Sequence, residues 1–403
     1  MFRQLTEASL NKWLQTSNAF VLRKESVALE EKQRNETAID TFRMELSATV
    51  KQIPNRFVNR KKWQKKIFIH LRELEATVPL ASTKLKYFLD YGYGTVTTDF
   101  IQQVRKFDPK MDIYDTFQAI RNVWIMNSIQ ILFEMEVKLT PSIFAYSMLY
   151  PYSDNYLDDP SVSLEEKQAF NQRFKHWLMG IEDAAINERE VKLYQLVKMI
   201  ELEFDRCDYP EVFNSLLAIH NAQEKSLLQQ LNATKEEVLE ISVEKGGMSV
   251  LTDAYLVRGA LTEKEAQFIF DYGVLLQLID DLQDIEEDSK ANHQTIFTQS
   301  GTDTNLNNAT NLLINFIQDF NRKDTQFTSK QSMKLKEVIC NSALLMVDEA
   351  IAQHKRRFSQ EYYGNLDDQS HVSFDYLAGL RETFMDDFST ADLSKLLKVL
   401  AVS

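Results

Sequence analysis

The chain has 403 residues, of which only 10 are Gly and 7 are Pro, about 4% together against about 12% in average proteins. So few turn-forming residues argue against a sandwich, a β-barrel, a collagen-like repeat or a doubly wound sheet, and favour long helices on short links. The net charge of −13, from 46 Lys+Arg against 59 Asp+Glu, argues against general nucleic-acid binding, which relies on a basic footprint.

An apolar fraction of 44% is enough to bury a sizeable core. Cys207 and Cys340 are the only cysteines, with no disulfide framework and no metal spacing, as in a reducing compartment. The N-terminal MFRQLTEASLNKWLQ has no apolar core of a secretory signal. The longest uncharged stretches, Leu139 to Ser153 and Thr304 to Gln318, are 15 residues each. Both fall short of the roughly 20 a membrane span needs. The expectation is a soluble, cytoplasmic protein with no transmembrane segment.

In chain order, residues 1–75 read as a charge-rich N-terminal helical extension and 76–403 as the main helical domain. Leu29 to Glu36 and Asp40 to Leu46 have the pattern of exposed amphipathic helix. Arg56 to Arg72 is basic, with Trp63, Ile67, Phe68 and Ile69 interleaved. It reads as a solvated helix face, or as a peripheral membrane contact. Ile113 to Leu139 reads as one helix buried on most of its circumference. Thr140-Pro141 then gives a cap and a first-turn proline, opening a helix toward Asp154. Pro151 should kink or restart that helix.

Thr234–Glu237 and Thr262–Glu265 match the capping box and open two further helices. Gly246-Gly247 between them marks a break or a close backbone approach. Loops are expected at Asp159–Ser163, Ser289–Asn305 and Tyr363–Ser373.

Two acidic runs could carry chemistry. Asp154 and Asp158 are four apart and share a helical face, where like charges repel unless they are solvated or bridged by a cation. Asp280, Asp284 and Asp288 recur at the same spacing. Asp281 and Glu286 point away from Asp280, and Glu287 competes with Asp288 for the third position. Each run ends an apolar helix. Mg²⁺ takes one or two carboxylates, keeps waters and completes its shell with substrate phosphates. Two such runs facing each other across a bundle can hold several Mg²⁺ ions and a diphosphate. The plain alternative is two solvated helix ends.

Tyr272-Gly-Val-Leu-Leu-Gln277-Leu-Ile-Asp280-Asp281-Leu-Gln-Asp284 resembles the second aspartate motif of trans-prenyl diphosphate synthases. Asp280, Asp284 and Asp288 also resemble the metal motif of terpene synthases. Ile241 to Val257, with Lys245-Gly246-Gly247, is similar to the segment before that motif in bacterial large-terpene synthases of the tetraprenyl-β-curcumene synthase type. Asn155-Tyr-Leu-Asp158-Asp159 is similar to that group's first motif.

The resemblance implies an all-α, class I terpenoid-synthase-like bundle over roughly residues 85–390. It implies three Mg²⁺ ions on Asp154, Asp158, Asp280, Asp284 and Asp288, with Asp159 and Glu287 as alternatives. It further implies ionisation of a linear polyprenyl diphosphate to a cyclic or linear terpene. Lys245, Arg357 and Tyr362 would be catalytic. Tyr146, Tyr150, Tyr272, Gln277, Lys245 and Arg258 would bind substrate. Lys290 and Arg356 are further cations in reach of the sequence argument.

The departures bear on the reaction. Asn155 stands where elongating synthases carry a second Asp, and Pro160-Ser-Val follows Asp159 in place of an Arg pair. That favours one bound diphosphate over two. A prenyltransferase, elongating or head-to-head, and a non-catalytic helical scaffold remain alternatives. A homodimer is left open.

Overall fold

The computed structural model describes residues 1–20, 25–53, 62–63, 67, 69, 84–159, 161–226, 229, 233–301, 303–389, 392–393 and 395–396. Among them every regular element is helical, as the turn-poor composition predicts. The helices are α1 (Phe2–Gln15), α2 (Leu29–Lys51), α3 (Lys84–Asp90), α4 (Tyr93–Phe107), α5 (Ile113–Leu132), α6 (Pro141–Asp158), α7 (Leu164–Leu178) and α8 (Glu188–Glu203). They continue with α9 (Pro210–Ser226), α10 (Lys235–Arg258), α11 (Glu263–Gln283), α12 (Ile285–Ala291), α13 (Asp303–Arg322), α14 (Lys330–Gln353), α15 (Gln360–Gln369) and α16 (Phe374–Asp386). No described helix is long and apolar enough to cross a membrane.

The chain divides into two compact units. The first comprises Met1–Lys12, Tyr114–Leu278 and Asp324–Met333; the second comprises Trp13–Ile113, Ile279–Lys323 and Lys334–Ser403. The boundary drawn from sequence at residues 75 and 76 lies outside the described residues, as does most of the basic segment Arg56 to Arg72.

In the first unit α6 packs on α8 and α10, and α9 packs on α10 and α7. The centre is α10. Its start is fixed by the predicted box: the Thr234 hydroxyl accepts the Glu237 N–H at 3.2 Å, and the Glu237 carboxylate accepts the Thr234 N–H at 2.8 Å. Gly259, at φ 83°, ends it. Between these points Gly246 and Gly247 do not break the helix. A Cβ on Gly246 would lie 2.4 Å from the Gln277 Cβ, and one on Gly247 would lie 2.2 Å from the Phe270 ring. A Cβ on Gly273 would lie 2.1 Å from the Gly246 carbonyl oxygen. The glycines therefore let α10 and α11 touch backbone to backbone, the second of the two sequence readings.

In the second unit α2 is not an exposed helix. Its Lys32 is 5% exposed and its ammonium donates to the Asp367 backbone carbonyl and carboxylate. The Asn35 amide donates to the His371 carbonyl at 2.8 Å, and the Glu36 carboxylate accepts the Ser373 N–H at 2.8 Å. Arg43 pairs with Asp387 at 2.5 Å. The charges read as surface decoration are the fastening to α15, α16 and their flanks. Trp63 and Ile67 are buried with Val50 against Leu46, Ile53, Phe388 and Leu396.

Several boundaries differ from expectation. The α5 helix stops at Leu132 because Glu134 turns left-handed at φ 55° and the Met135 N–H bonds back to the Gln130 carbonyl at 2.8 Å. Pro151 sits inside an uninterrupted α6. The stretch 363–373 is helical as far as Gln369, and 289–305 holds the end of α12 and the start of α13. Cys207 is exposed and Cys340 buried, both free thiols.

The glycine contact yields a paired test by thermal melting. Gly273→Ala should cost about 2 kcal/mol or more, because the new methyl group meets backbone that has no room to move. Gly364→Ala, in α15 with nothing within 4 Å of its Cβ position, should gain about 0.5–1 kcal/mol from helix propensity.

Candidate functional site

The first acidic run is set by α6. The Thr140 hydroxyl accepts the Ile143 N–H at 3.3 Å, and Pro141 fills the first turn, where no partner for its nitrogen is needed. The Ser142 N–H donates to Glu203 at 2.7 Å and its hydroxyl to the Leu256 carbonyl at 2.9 Å, so α8 and α10 fix the helix. Between Ser142 and Ser153 α6 is buried except at Tyr146 and Tyr150, and Asp154 to Leu157 are half-buried or exposed. Tyr150 is 44% exposed.

Asp154 accepts the Gln223 amide of α9 at 3.3 Å and the Ser153 hydroxyl at 3.2 Å. The Asn155 amide donates to Asp115 of α5 at 2.8 Å. Asp158 is the last residue of α6, and its side chain lies outside the described residues. Asp159 closes a local turn: one carboxylate oxygen accepts the Ser161 hydroxyl at 2.6 Å and its N–H at 2.8 Å. These bonds hold the Asp159 carboxyl below the usual range. That use in the turn counts against Asp159 as the alternative ligand to Asp158.

Inside the same unit lies a polar seam that sequence reasoning missed. The Asn122 amide of α5 donates to Asp253 Oδ1 at 3.1 Å and to the Ser147 hydroxyl at 3.2 Å. Asp253 is 0% exposed, and its Oδ2 is buried without a hydrogen-bond partner. Burial pushes its carboxyl well above the usual range, against the weaker opposite pull of Asn122. Tyr146 is half-buried. Its pKa is driven well up, first by burial, then by the fields of Asp253 and Asp154, against a hydrogen bond with Thr252. The available signal was a lone carboxylate in the otherwise apolar stretch Val250 to Val257.

The second acidic run ends α11. Asp281 is 5% exposed, on the face of Leu278, Leu282 and Ile285, whereas Asp280 is exposed and Gln277 and Asp284 are half-buried. Asp281 is thus a core-side carboxylate, on a different face from Asp280 as the helical phase expects. The run is not one helix. Asp284 sits between α11 and α12 at φ −93°, ψ 11°, although the Asp284 N–H still bonds the Asp280 carbonyl at 2.9 Å and the Asp288 N–H the Asp284 carbonyl at 2.8 Å. The strict phase extended to Asp288 therefore bends at Asp284.

Within the second unit, the turn after α14 is fastened to this junction twice. His354 Nε2 bonds the Gln283 carbonyl at 2.8 Å, and Arg357 pairs with Glu286 at 2.8 Å, with the Ser289 hydroxyl at 3.4 Å. The Arg357 guanidinium holds the Glu286 carboxyl below its usual range. Glu286, which the helical phase turns away from Asp280, is the partner of a predicted catalytic residue. Tyr362 is 7% exposed, and its hydroxyl donates to Asn311 at 2.8 Å. That bond makes it part of the packing between α13 and α15.

Lys245 is half-buried on α10, and among the described residues its ammonium has no ion pair. Arg258 sits 13 residues further along α10, about 20 Å by helical rise. There it pairs with Glu265 at 2.6 Å and lies over the Phe133 ring at 4.7 Å. The structure does not bring these two cations together. Tyr272 is 6% exposed within α11. Among the described residues no three His, Cys, Asp or Glu side chains converge on one metal position.

Two outcomes are expected. The raised Asp253 pKa means the native state holds a proton that the unfolded chain loses above about pH 4. Wild-type stability is therefore penalised increasingly as pH rises from there toward the folded pKa. Asp253→Asn has no such slope, so its melting temperature should gain on wild type between pH 4 and pH 7.5. Glu286→Ala removes an exposed pair worth about 0–1 kcal/mol. It should shift melting by no more than about 3 °C. Searches against protein-family models, curated proteins and solved structures return no match for this chain.

Proposed function

We propose that the chain is a Mg²⁺-dependent, class I terpene synthase-like lyase acting on a linear polyprenyl diphosphate. One observation carries the reading: the acidic runs begin in the last residues of long helices, Asp154 and Asp158 in α6 and Asp280 in α11, ahead of Asp284 and Asp288 at the start of α12. The helix macrodipole is negative at a C-terminal end, so carboxylates there are disfavoured unless a cation compensates. Asp154, Asp158, Asp280, Asp284 and Asp288 are the proposed ligands. Bound there, Mg²⁺ supplies neutralisation of the leaving diphosphate.

The chain's own groups do the rest. Lys245 and Arg357 are the proposed cations for the departing diphosphate, the latter once it leaves Glu286. Gln277 and Tyr272 line α11 just before its acidic end. The Tyr146 and Tyr150 rings of α6 offer π faces to a hydrocarbon cation. Arg258 and Tyr362 are given no part, since Arg258 pairs with Glu265 over the Phe133 ring and the Tyr362 hydroxyl is bonded to Asn311.

Purified protein incubated with C10 to C25 prenyl diphosphates and Mg²⁺ should release pyrophosphate with one substrate alone. Product only with isopentenyl diphosphate, or only dimerised product, would support a prenyltransferase; no turnover would leave a helical scaffold. Asp154→Ala and Asp280→Ala should each abolish release. Each should also lose the thermal shift that Mg²⁺ and pyrophosphate together give wild type. Both variants should fold, since removing one of several like charges relieves repulsion worth a few tenths of a kcal/mol.

A further inference from the structure

We propose that Asp253 is a proton donor to a carbon–carbon double bond of a bound polyprenyl chain. The inference rests on the polyprenyl substrate class argued above, and on a feature that reading does not use. Buried polar groups are almost always paired, and Asp253 Oδ2 is buried with no partner. Oδ1 accepts the Asn122 amide at 3.1 Å, which marks it as the carbonyl oxygen and leaves the hydroxyl on Oδ2. The side chain is 0% exposed, on a stretch of α10 where Val250, Leu251, Ala254 and Leu256 are also buried.

The surroundings say what such a hydroxyl is for. Asn122 is already committed to Oδ1, Ser147 and the Met126 sulfur. The Ser147 hydroxyl turns to the Met126 sulfur at 3.9 Å. Thr252 donates to the Ser215 and Met248 carbonyls. No described oxygen or nitrogen accepts from Oδ2. In an apolar interior, the electron-rich partner that a hydrocarbon ligand brings is the π face of an alkene.

Tyr146 links this carboxyl to the first acidic run, since it feels both Asp253 and Asp154. Asp154 is eight residues further along α6, about 12 Å by helical rise. A polyprenyl chain held by its diphosphate at Asp154 would lay its later double bonds toward Asp253.

The step balances in protons. The Oδ2–H bond breaks as a C–H bond forms on one alkene carbon, leaving a tertiary cation on the other and a carboxylate on Asp253. The two charges form in contact, so their attraction offsets the burial that otherwise disfavours the carboxylate. After cyclisation the carboxylate takes a proton from a carbon next to the final cation. A double bond forms and the acid is restored. No oxidant, reductant or further reactant is needed.

The test is turnover of a C20 or C25 diphosphate in D₂O after full exchange of the protein, with products analysed by mass. Wild type should give product carrying one deuterium. Asp253→Asn should lose labelled product by at least about 100-fold, the range of general acid catalysis, while still releasing pyrophosphate. Asn122→Leu, which frees Oδ1 but keeps the acid, should lower labelling severalfold and stands in if Asp253→Asn does not fold. Pyrophosphate release with unlabelled wild-type product would overturn the role of Asp253 and leave the ionisation reading standing. Equal labelling in Asp253→Asn would do the same. Labelled diphosphate without pyrophosphate release would support Asp253 and sink the ionisation step. No conversion of any polyprenyl diphosphate would overturn both.

Discussion

The contact on which the first unit depends is the one between Gly246, Gly247 and Gly273. Three missing side chains let α10 lie against α11 with backbone atoms touching. Helices normally pack 8–10 Å apart, at a distance set by their side chains. Closer approach pulls the Lys245 segment of α10 toward Gln277, and commits α10 to burial on almost every side. A helix so enclosed has few positions left for polar groups. Among the polar groups it keeps, Lys245 stands half-buried and Asp253 in the interior. The entropic cost of glycine in a helix, about 1 kcal/mol each, is offset by packing that no larger residue would permit.

A second tension runs through the acidic runs. Carboxylates crowd the ends of α6 and α11 and the start of α12, and the structure answers in part. Asp159 is absorbed by a serine turn, Glu286 by Arg357, and Asp154 leans on the Gln223 amide. These are local settlements, each satisfying one carboxylate.

The helical class was legible because it rests on composition and on short-range rules. The capping boxes at Thr234 and Thr262 and the Thr140-Pro141 start need only neighbours three or four residues away. The alternative at Gly246 could not be decided from one strand of text, since the deciding atoms belong to Phe270, Gly273 and Gln277. Likewise α2 looked like a solvated helix because its partners, Asp367, Ser373 and Asp387, lie more than 300 residues away. Helical phase separated Asp280 from Asp281 correctly, but it could not say which face was core. Burial of Leu278 and Leu282 decides that. Asp253 was passed over because a single carboxylate among apolar residues has no spacing to recognise.

The fastening of α2 to the segment around Asp367 to Asp387 also orders events during synthesis. Ribosomes release the chain from its N-terminus at about 5–20 residues per second. The stretch 114–278, the bulk of the first unit, emerges complete and can collapse on contacts made mostly within itself. Lys32, Asn35 and Arg43, made much earlier, must wait for their partners until the chain is nearly finished. For that interval α2 is a nascent helix with an unsatisfied face, the kind of segment that chaperones hold. Loop closure over so many residues also makes its docking a slow, late step. A chain cut short near residue 360 would retain the first unit's sequence while depriving α2 of the surface it was built to meet.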